Sequence, residues 1–267
     1  MLDTTHPLQP MGFRYLDRLA SEENIRSFLE LADLAAGAGS SAQNVFALSH
    51  RLRDSAPMQL CRKRLGRDPQ AQALIDARRL CGPYDAAALK AMPKGSLGHT
   101  YATILETLGY DINFFPEPAF YNDLESDADY INYRVYATHD LHHILTGFSL
   151  DNFGELGVIS VSVAQFSHPG LAFTDLMALL LQWLRTDTPM DELESPEEQA
   201  RTAAYAFGRI SRGLEMGLAA RPLFPVLWEE QMHRDLEAVR ADFGIQPVTD
   251  GPWSWHSRAA LQAALAA

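Results

Sequence analysis

Cysteine is nearly absent from this 267-residue chain: Cys61 and Cys81 are the only two, and they form neither a CxxC pair nor a zinc-ribbon spacing. No disulfide framework is implied, and a reducing compartment is expected. Basic charge is scarce too. Lys and Arg total 22 against 34 Asp and Glu, a formal net charge of −12 with a pI near 5.1. A nucleic-acid binder needs a basic face that displaces counterions from phosphate, and the one basic cluster, "RKRLGR" from Arg62 to Arg67, is too short to supply it. No nucleic-acid partner is expected. Long apolar runs are also missing: the most apolar stretch, "LMALLLQWL" from Leu176 to Leu184, falls far short of the ~20 residues of a bilayer span. The opening residues "MLDTTHPLQPMGFRYLDRL" place no apolar core behind a charged leader, so no signal peptide is expected and the cytoplasm is the expected compartment.

Alternating strand patterns are scarce as well, whereas helical spacing recurs along the chain. The expectation is an all-α, single-domain helical bundle over residues 1–267, with no repeat or composition break to divide it. Phe13, Leu16, Leu19, Ile25, Phe28, Leu29 and Ala32 keep helix-compatible intervals, and Ser21 followed by Glu22 and Glu23 can cap a restart among them. Shorter helices are expected at about 41–53, 56–65, 68–80 and 84–91, then from Ser96 to Leu108. A long helix is predicted from Asp123 to Leu145 with Gly147 as a left-handed cap beyond it. A second should start at Asp151 or Asn152, both good N-cap residues, and reach Phe166; a third, over 171–185, is apolar on most sides. Segments 196–217 and 229–243 complete the set.

The stretch "ATHDLHHILTGFSLDNFGELG", Ala137 to Gly157, gathers three histidines, two aspartates and a glutamate. His139 and His143 are spaced i, i+4, and Asp140 and His143 i, i+3, so all three can share one side of a helix. Glu155 lies twelve residues after His143, beyond the break at Gly147, where an antiparallel second helix can return it to that face. This makes a candidate metal site between two consecutive helices. Two imidazoles and two carboxylates suit zinc; two histidines and a carboxylate with open positions suit non-haem iron as well, and ligand type does not choose between them. The plainer alternative is a solvated helix end with cationic histidines near the C-terminal dipole. His142 points about 100° away from His143 and is expected to pack, as are the isolated His99, His168 and His233. Asp151 is expected to cap rather than ligate.

These residues carry a resemblance. "HDLHH" with eleven residues between His143 and Glu155, "MPKGSLGHTYATIL", "ILTGFSLDNFGELGVISVSVAQ" and "RPLFPVLWEEQMHRDLEAVRADFGI" are similar, in order, to segments of the coenzyme Q biosynthesis protein 4 family, the Coq-four family. The likeness covers about Met92 to Ile245, and the first ninety residues resemble the family only faintly. It implies a helical protein that binds a divalent metal, usually described as zinc, through His139, Asp140, His143 and Glu155. It also implies peripheral membrane association, a part in ubiquinone synthesis beside the partners of a quinone-biosynthesis complex, and a prenylated aromatic lipid as substrate. The activity implied is an oxidative decarboxylation: the carboxyl at ring carbon 1 of a polyprenylated 4-hydroxybenzoate-type precursor is replaced by a hydroxyl. One departure concerns a basic residue that many members carry one turn before the first histidine, where this chain has Tyr136. Arg134 is the nearest cation, and its bidentate fork is the catalytic candidate for approaching the precursor's carboxylate, with Tyr133 and Tyr136 flanking it.

Two rival readings stand beside this one. In the first, the protein is a non-catalytic prenyl-lipid-binding scaffold with a structural metal, and Leu176, Leu179, Leu180 and Trp183 cradle a prenyl chain or pack a homodimer interface. In the second, HDxxH serves a metal-dependent hydrolase, against which counts the lack of a second HD pair.

Overall fold

A computed structural model of the protein describes residues 21–37, 41–151, 154–185 and 203–267, and among them no named strand occurs. The helices are α1 Glu22–Ala36, α2 Ala42–Arg51, α3 Ala56–Leu65, α4 Pro69–Ala77, α5 Ala86–Lys90, α6 Leu97–Leu108, α7 Asp127–Ala137, α8 His139–Thr146, α9 Glu155–Phe166, α10 Pro169–Arg185, α11 Ala203–Ala219, α12 Leu236–Phe243 and α13 Ala259–Ala266. Their starts follow from local chemistry. Ser21, Ser41, Ser55, Asp68, Asp85, Ser96, Ser126 and Asp235 each accept a hydrogen bond from a first-turn N–H that has no partner inside its helix.

The predicted long helix over 123–145 is in fact two. Asn122, Asp123 and Leu124 take positive φ, so α7 cannot start before Ser126, which caps it. At Thr138 the backbone leaves helical values, at φ −107° and ψ 0°. The Thr138 hydroxyl donates to the Arg134 carbonyl at 3.0 Å, a back-bond of the kind that bends helices, and α8 starts anew at His139. Two further starts and one extent are corrected. α9 begins at Glu155 after Gly154, and the Asp151 side chain does not cap it; its carboxylate accepts from Ser149 and from Arg258 at 2.5 Å. α10 begins at Pro169. The predicted helix over 229–243 shrinks to α12 behind a 3-10 turn, Trp228–Glu230, and α13 was not anticipated. The expected positions Phe13, Leu16, Leu19 and Asn152, and the start of the 196–217 segment, lie outside the described residues.

One large core runs from Phe46 to Leu261 and includes Tyr101, Tyr130, Phe148 and Trp228. A small separate cluster, Ala35, Leu48 and Met177, joins α1, α2 and α10. Ile25, Phe28 and Leu29, helically spaced in sequence, stand exposed. The tightest pairing is α9 with α11. A Cβ on Gly213 would lie 2.1 Å from the Gly157 carbonyl oxygen, and one on Gly217 would lie 2.5 Å from that of Val161, so only glycine lets these backbones meet.

Candidate metal centre

The kink at Thr138 and the turn at Gly147 set the site. Gly147 adopts φ +81°, and a Cβ there would strike the Val248 backbone. The last turn of α8 is then held from the C-terminal part of the chain. Trp255 Nε1 donates to the His143 carbonyl at 3.0 Å, Arg240 donates to the carbonyls of Ile144 and Leu145 at 2.7 and 2.8 Å, and Val248 N donates to Thr146 at 2.8 Å. The carbonyls that a helix end leaves open are thereby satisfied.

From this fixed turn His139 and His143 project toward the first residue of α9. His139 Nε2 lies 3.0 Å from Glu155 Oε2, His143 Nε2 lies 3.2 Å from Glu155 Oε1, and the two Nε2 atoms are 3.1 Å apart. The rings stand nearly perpendicular, at 89°. Donors about 2.0 Å from one tetrahedrally bound ion sit roughly 3.3 Å from each other, so the spacing fits a shared divalent metal. A second observation agrees. His143 Nδ1–H donates to the Phe148 carbonyl at 3.2 Å, which leaves the Nε2 lone pair facing the other donors, the orientation a metal-binding histidine needs. His143 is 1% exposed, whereas Glu155 is 40% exposed and faces a cavity.

The electrostatics follow from enclosure. Burial by itself raises the Glu155 carboxyl, yet the charges and hydrogen bonds of His139 and His143 outweigh it and hold the group well below the usual carboxylate range. Burial would depress His139, but Glu155 more than compensates and raises it. Asp140 is raised, chiefly by burial. It lines the same cavity but is not among the three closely grouped donors, so the expected fourth ligand lies beside the set rather than in it.

The cavity has a volume of about 440 Å³. Val45, Phe46, Leu156, Ile159, Leu171, Ala178 and Leu181 make apolar walls, and His139, Asp140, Glu155 and Arg209 are among the polar residues that line it. Of the two tyrosines that flank Arg134 in sequence, Tyr136 lines the cavity and Tyr133 does not, its hydroxyl accepting from Cys81 N at 3.0 Å. The reading of Arg134 is corrected. Arg134 is fully buried away from the cavity, with Nε and Nη2 donating to the Phe224 and Val226 carbonyls at 2.8 and 2.7 Å. Among the described residues the cation that lines the cavity is Arg209, which local spacing around the histidines could not reveal. Its signal is a charge on the stripe Arg209, Gly213, Gly217, whose glycines face α9. The α10 wall is also rotated from expectation: Leu171, Thr174, Ala178 and Leu181 line the cavity, Leu176 and Leu180 are exposed, and the Trp183 side chain lies outside the described residues. His142 packs against Trp228, and burial pushes its pKa down to about 3.

The family described as "Coenzyme Q (ubiquinone) biosynthesis protein Coq4" matches residues 23–249. This chain belongs to the Coq4 family. The match starts well before Met92 and so takes in most of the first ninety residues as well. A relative from Coccidioides immitis, named a mitochondrial ubiquinone biosynthesis protein COQ4, is 28% identical over 218 residues, which is 82% of this chain and 68% of that protein. One of the same name from Clavispora lusitaniae is 30% identical over 162 residues, 61% of this chain and 46% of that protein. A crystal structure from Nostoc punctiforme shares the fold, with a TM-score of 0.66 at 23% identity, covering 82% of this chain and 95% of that one. The expectation of a cytoplasmic Coq4 protein finds no support, since these relatives are named mitochondrial. Among the described residues no helix is long and apolar enough to cross a membrane.

Proposed function

We propose that this Coq4-family protein is an enzyme: a metal-dependent oxidative decarboxylase that replaces the ring carbon 1 carboxyl of a polyprenylated 4-hydroxybenzoate-type precursor with a hydroxyl. His139, His143 and Glu155 hold the ion, with Asp140 beside them on the cavity wall. The observation that carries this reading is the junction of metal-capable donors with apolar walls in one cavity. A ligand that satisfies both is a lipid with a charged aromatic head. The donor types favour zinc, with iron the alternative. A bound divalent ion supplies Lewis acidity toward a carboxylate or phenolate oxygen of the head group.

The chain itself binds, orients and excludes water. Val45, Leu156, Ile159 and Leu171 take the start of the prenyl tail, and closing the inner end to water strengthens each charge interaction there. The carboxyl leaves as carbon dioxide, and an external oxidant of the dioxygen class delivers one oxygen atom to ring carbon 1, its second atom leaving with a water molecule as hydrogen peroxide. A lipidic substrate also calls for peripheral membrane contact and for partners in a quinone-biosynthesis complex.

The scaffold reading draws on a different observation, that His139, His143 and Glu155 already bond to one another as a structural site would. Two variants separate the readings. Protein carrying His143→Ala, purified without chelator, should contain no ion by elemental analysis. Glu155→Gln should still bind the precursor but fail to complement a strain lacking the step, with carboxylated precursor accumulating. Normal quinone levels with Glu155→Gln would leave the scaffold reading in place of catalysis.

A further inference from the structure

The family match ends at residue 249, and the chain runs on to Ala267. That tail folds back across the turn between α8 and α9. Ser149 N donates to the Trp253 carbonyl at 2.7 Å and Trp255 N to the Gly147 carbonyl at 3.1 Å, so Ser254 pairs with Phe148 in a short antiparallel bridge. Ser254 is fully buried, and its hydroxyl donates to the Val248 carbonyl at 2.8 Å. The far end is fastened by α13, where Leu261 enters the core and Lys94 Nζ donates to the Ala266 carbonyl at 3.2 Å.

Segment 253–258 reaches both banks of the donor set. On the histidine bank, Trp255 Nε1 donates to the His143 carbonyl, and the bridge fixes Phe148, whose own carbonyl accepts from His143 Nδ1. On the glutamate bank, Arg258 Nη2 donates to Asp151 Oδ2 at 2.5 Å, and the Asp151 carbonyl in turn accepts from the N–H groups of Gly154 and Glu155 at 2.9 and 3.1 Å. The Phe148 ring adds a steric link between the banks, since a Cβ on Gly157, in the first turn of α9, would lie 2.2 Å from it. Donors carried by two separate helices keep one geometry only while the helices cannot slide apart. Directional bonds from one short segment to both of them prevent that.

We propose that residues 253–258 form a bracket that sets the separation of His139 and His143 from Glu155, with Trp255 and Arg258 as positioning residues at its two ends. Both act through other groups, the His143 carbonyl and the Asp151 carboxylate. The inference rests on the metal reading of the proposed function above, and it ties the geometry of the donors to a segment past the end of the family match.

The test measures the zinc affinity of the full chain by competition with a chromophoric chelator, and follows donor geometry by the visible absorption of the cobalt-loaded protein. Trp255→Phe keeps an aromatic ring but removes the Nε1 donor, and Arg258→Met removes the link to Asp151. Each should weaken zinc binding about 10- to 100-fold, the usual cost of losing a group that orients a metal ligand, and should shift the cobalt bands. A bracket cut at one end no longer spans the banks, so the double variant should bind zinc about as weakly as the poorer single variant, without multiplying the two losses. Arg258→Lys, which keeps the charge, should recover part of the affinity. Arg258 is partly exposed, so its variants serve if Trp255→Phe fails to fold. Ile75→Ala, a buried truncation in α4, should lower the melting temperature yet leave zinc affinity and cobalt bands as in the wild type. Wild-type affinity in either single variant, multiplied losses in the double variant, or an equal loss in Ile75→Ala would overturn the bracket while leaving the proposed function standing. A wild type that binds no zinc would instead overturn the metal reading, and this inference with it.

Discussion

At the inner end of the cavity, every carbonyl from His143 to Thr146 receives a hydrogen bond from Trp255, Arg240 or Val248. At the outer end, α1 meets α2 and α10 through three buried apolar residues, while Phe28, Leu29, Leu176 and Leu180 face outward. The two ends are asked for different things. Donor atoms 3.0–3.2 Å apart serve a metal only if their helix cannot shift, and hydrogen bonds are directional enough to fix it. A prenyl-sized tail needs only apolar contact, which is non-directional and tolerates repacking.

The strongest way to break this contrast is Arg240→Met. It strands two buried carbonyls and should cost about 2–4 kcal/mol by denaturant unfolding, with weakened zinc retention as a consequence. Leu180→Ser on the outer wall should stay within about 0.5 kcal/mol of wild type and keep the ion. Equal losses in the two variants would erase the distinction.

A second test addresses the joint between the regions. His168, at the entry to α10, donates from Nε2 to Asn132 Oδ1 of α7 at 2.9 Å, and its Nδ1 accepts from Leu171 N at 3.3 Å. Burial pushes its pKa down to about 3, below the unfolded value near 6.5. The unfolded chain therefore binds the extra proton first. The contribution from His168 is full above pH 6.5 and is lost as pH falls toward 3, on the order of 3 kcal/mol. Asp175, which burial pushes up to about 7, acts in the opposite sense, its contribution fading as pH rises through 7. Comparing melting temperatures of wild type and His168→Gln cancels Asp175, so the difference between the two proteins should shrink from pH 7 to pH 4. A constant difference would contradict the assignment.

The smallest expected effect concerns the outer wall alone. With a net charge of −12, the protein should bind neutral vesicles weakly and gain nothing from anionic lipid. Phe28→Ser should lower retention on neutral vesicles about two- to threefold, roughly the weight of one partly exposed aromatic ring. Stronger retention on anionic vesicles would point to charge rather than apolar contact.

The inner end was largely legible in sequence, because i, i+4 spacing and a glycine turn are local features: His139, His143 and Glu155 do converge across Gly147. What misled was proximity along the chain. Arg134 precedes His139 by five residues, which places it about 140° around an ideal helix, even before the kink at Thr138. Arg209, 54 residues after Glu155 by number, reaches the cavity through a helix–helix contact that no local window contains. The Thr138 bend is likewise invisible, since a hydroxyl bonded to its own helix changes no periodicity. Ile25, Phe28 and Leu29 show the converse: helical spacing of apolar residues identifies a helix but not what covers its face.

Trp255, whose indole closes the turn carrying His143, stands 112 residues further along the chain. During synthesis, α8 leaves the ribosome long before the residues that complete it. Until the tail arrives, the carbonyls of its last turn have water as their partner, and the imidazole above them is free to wander. The three donors are thus among the last parts of the molecule to take shape, so the metal proposed for them would be loaded by a finished chain rather than a nascent one.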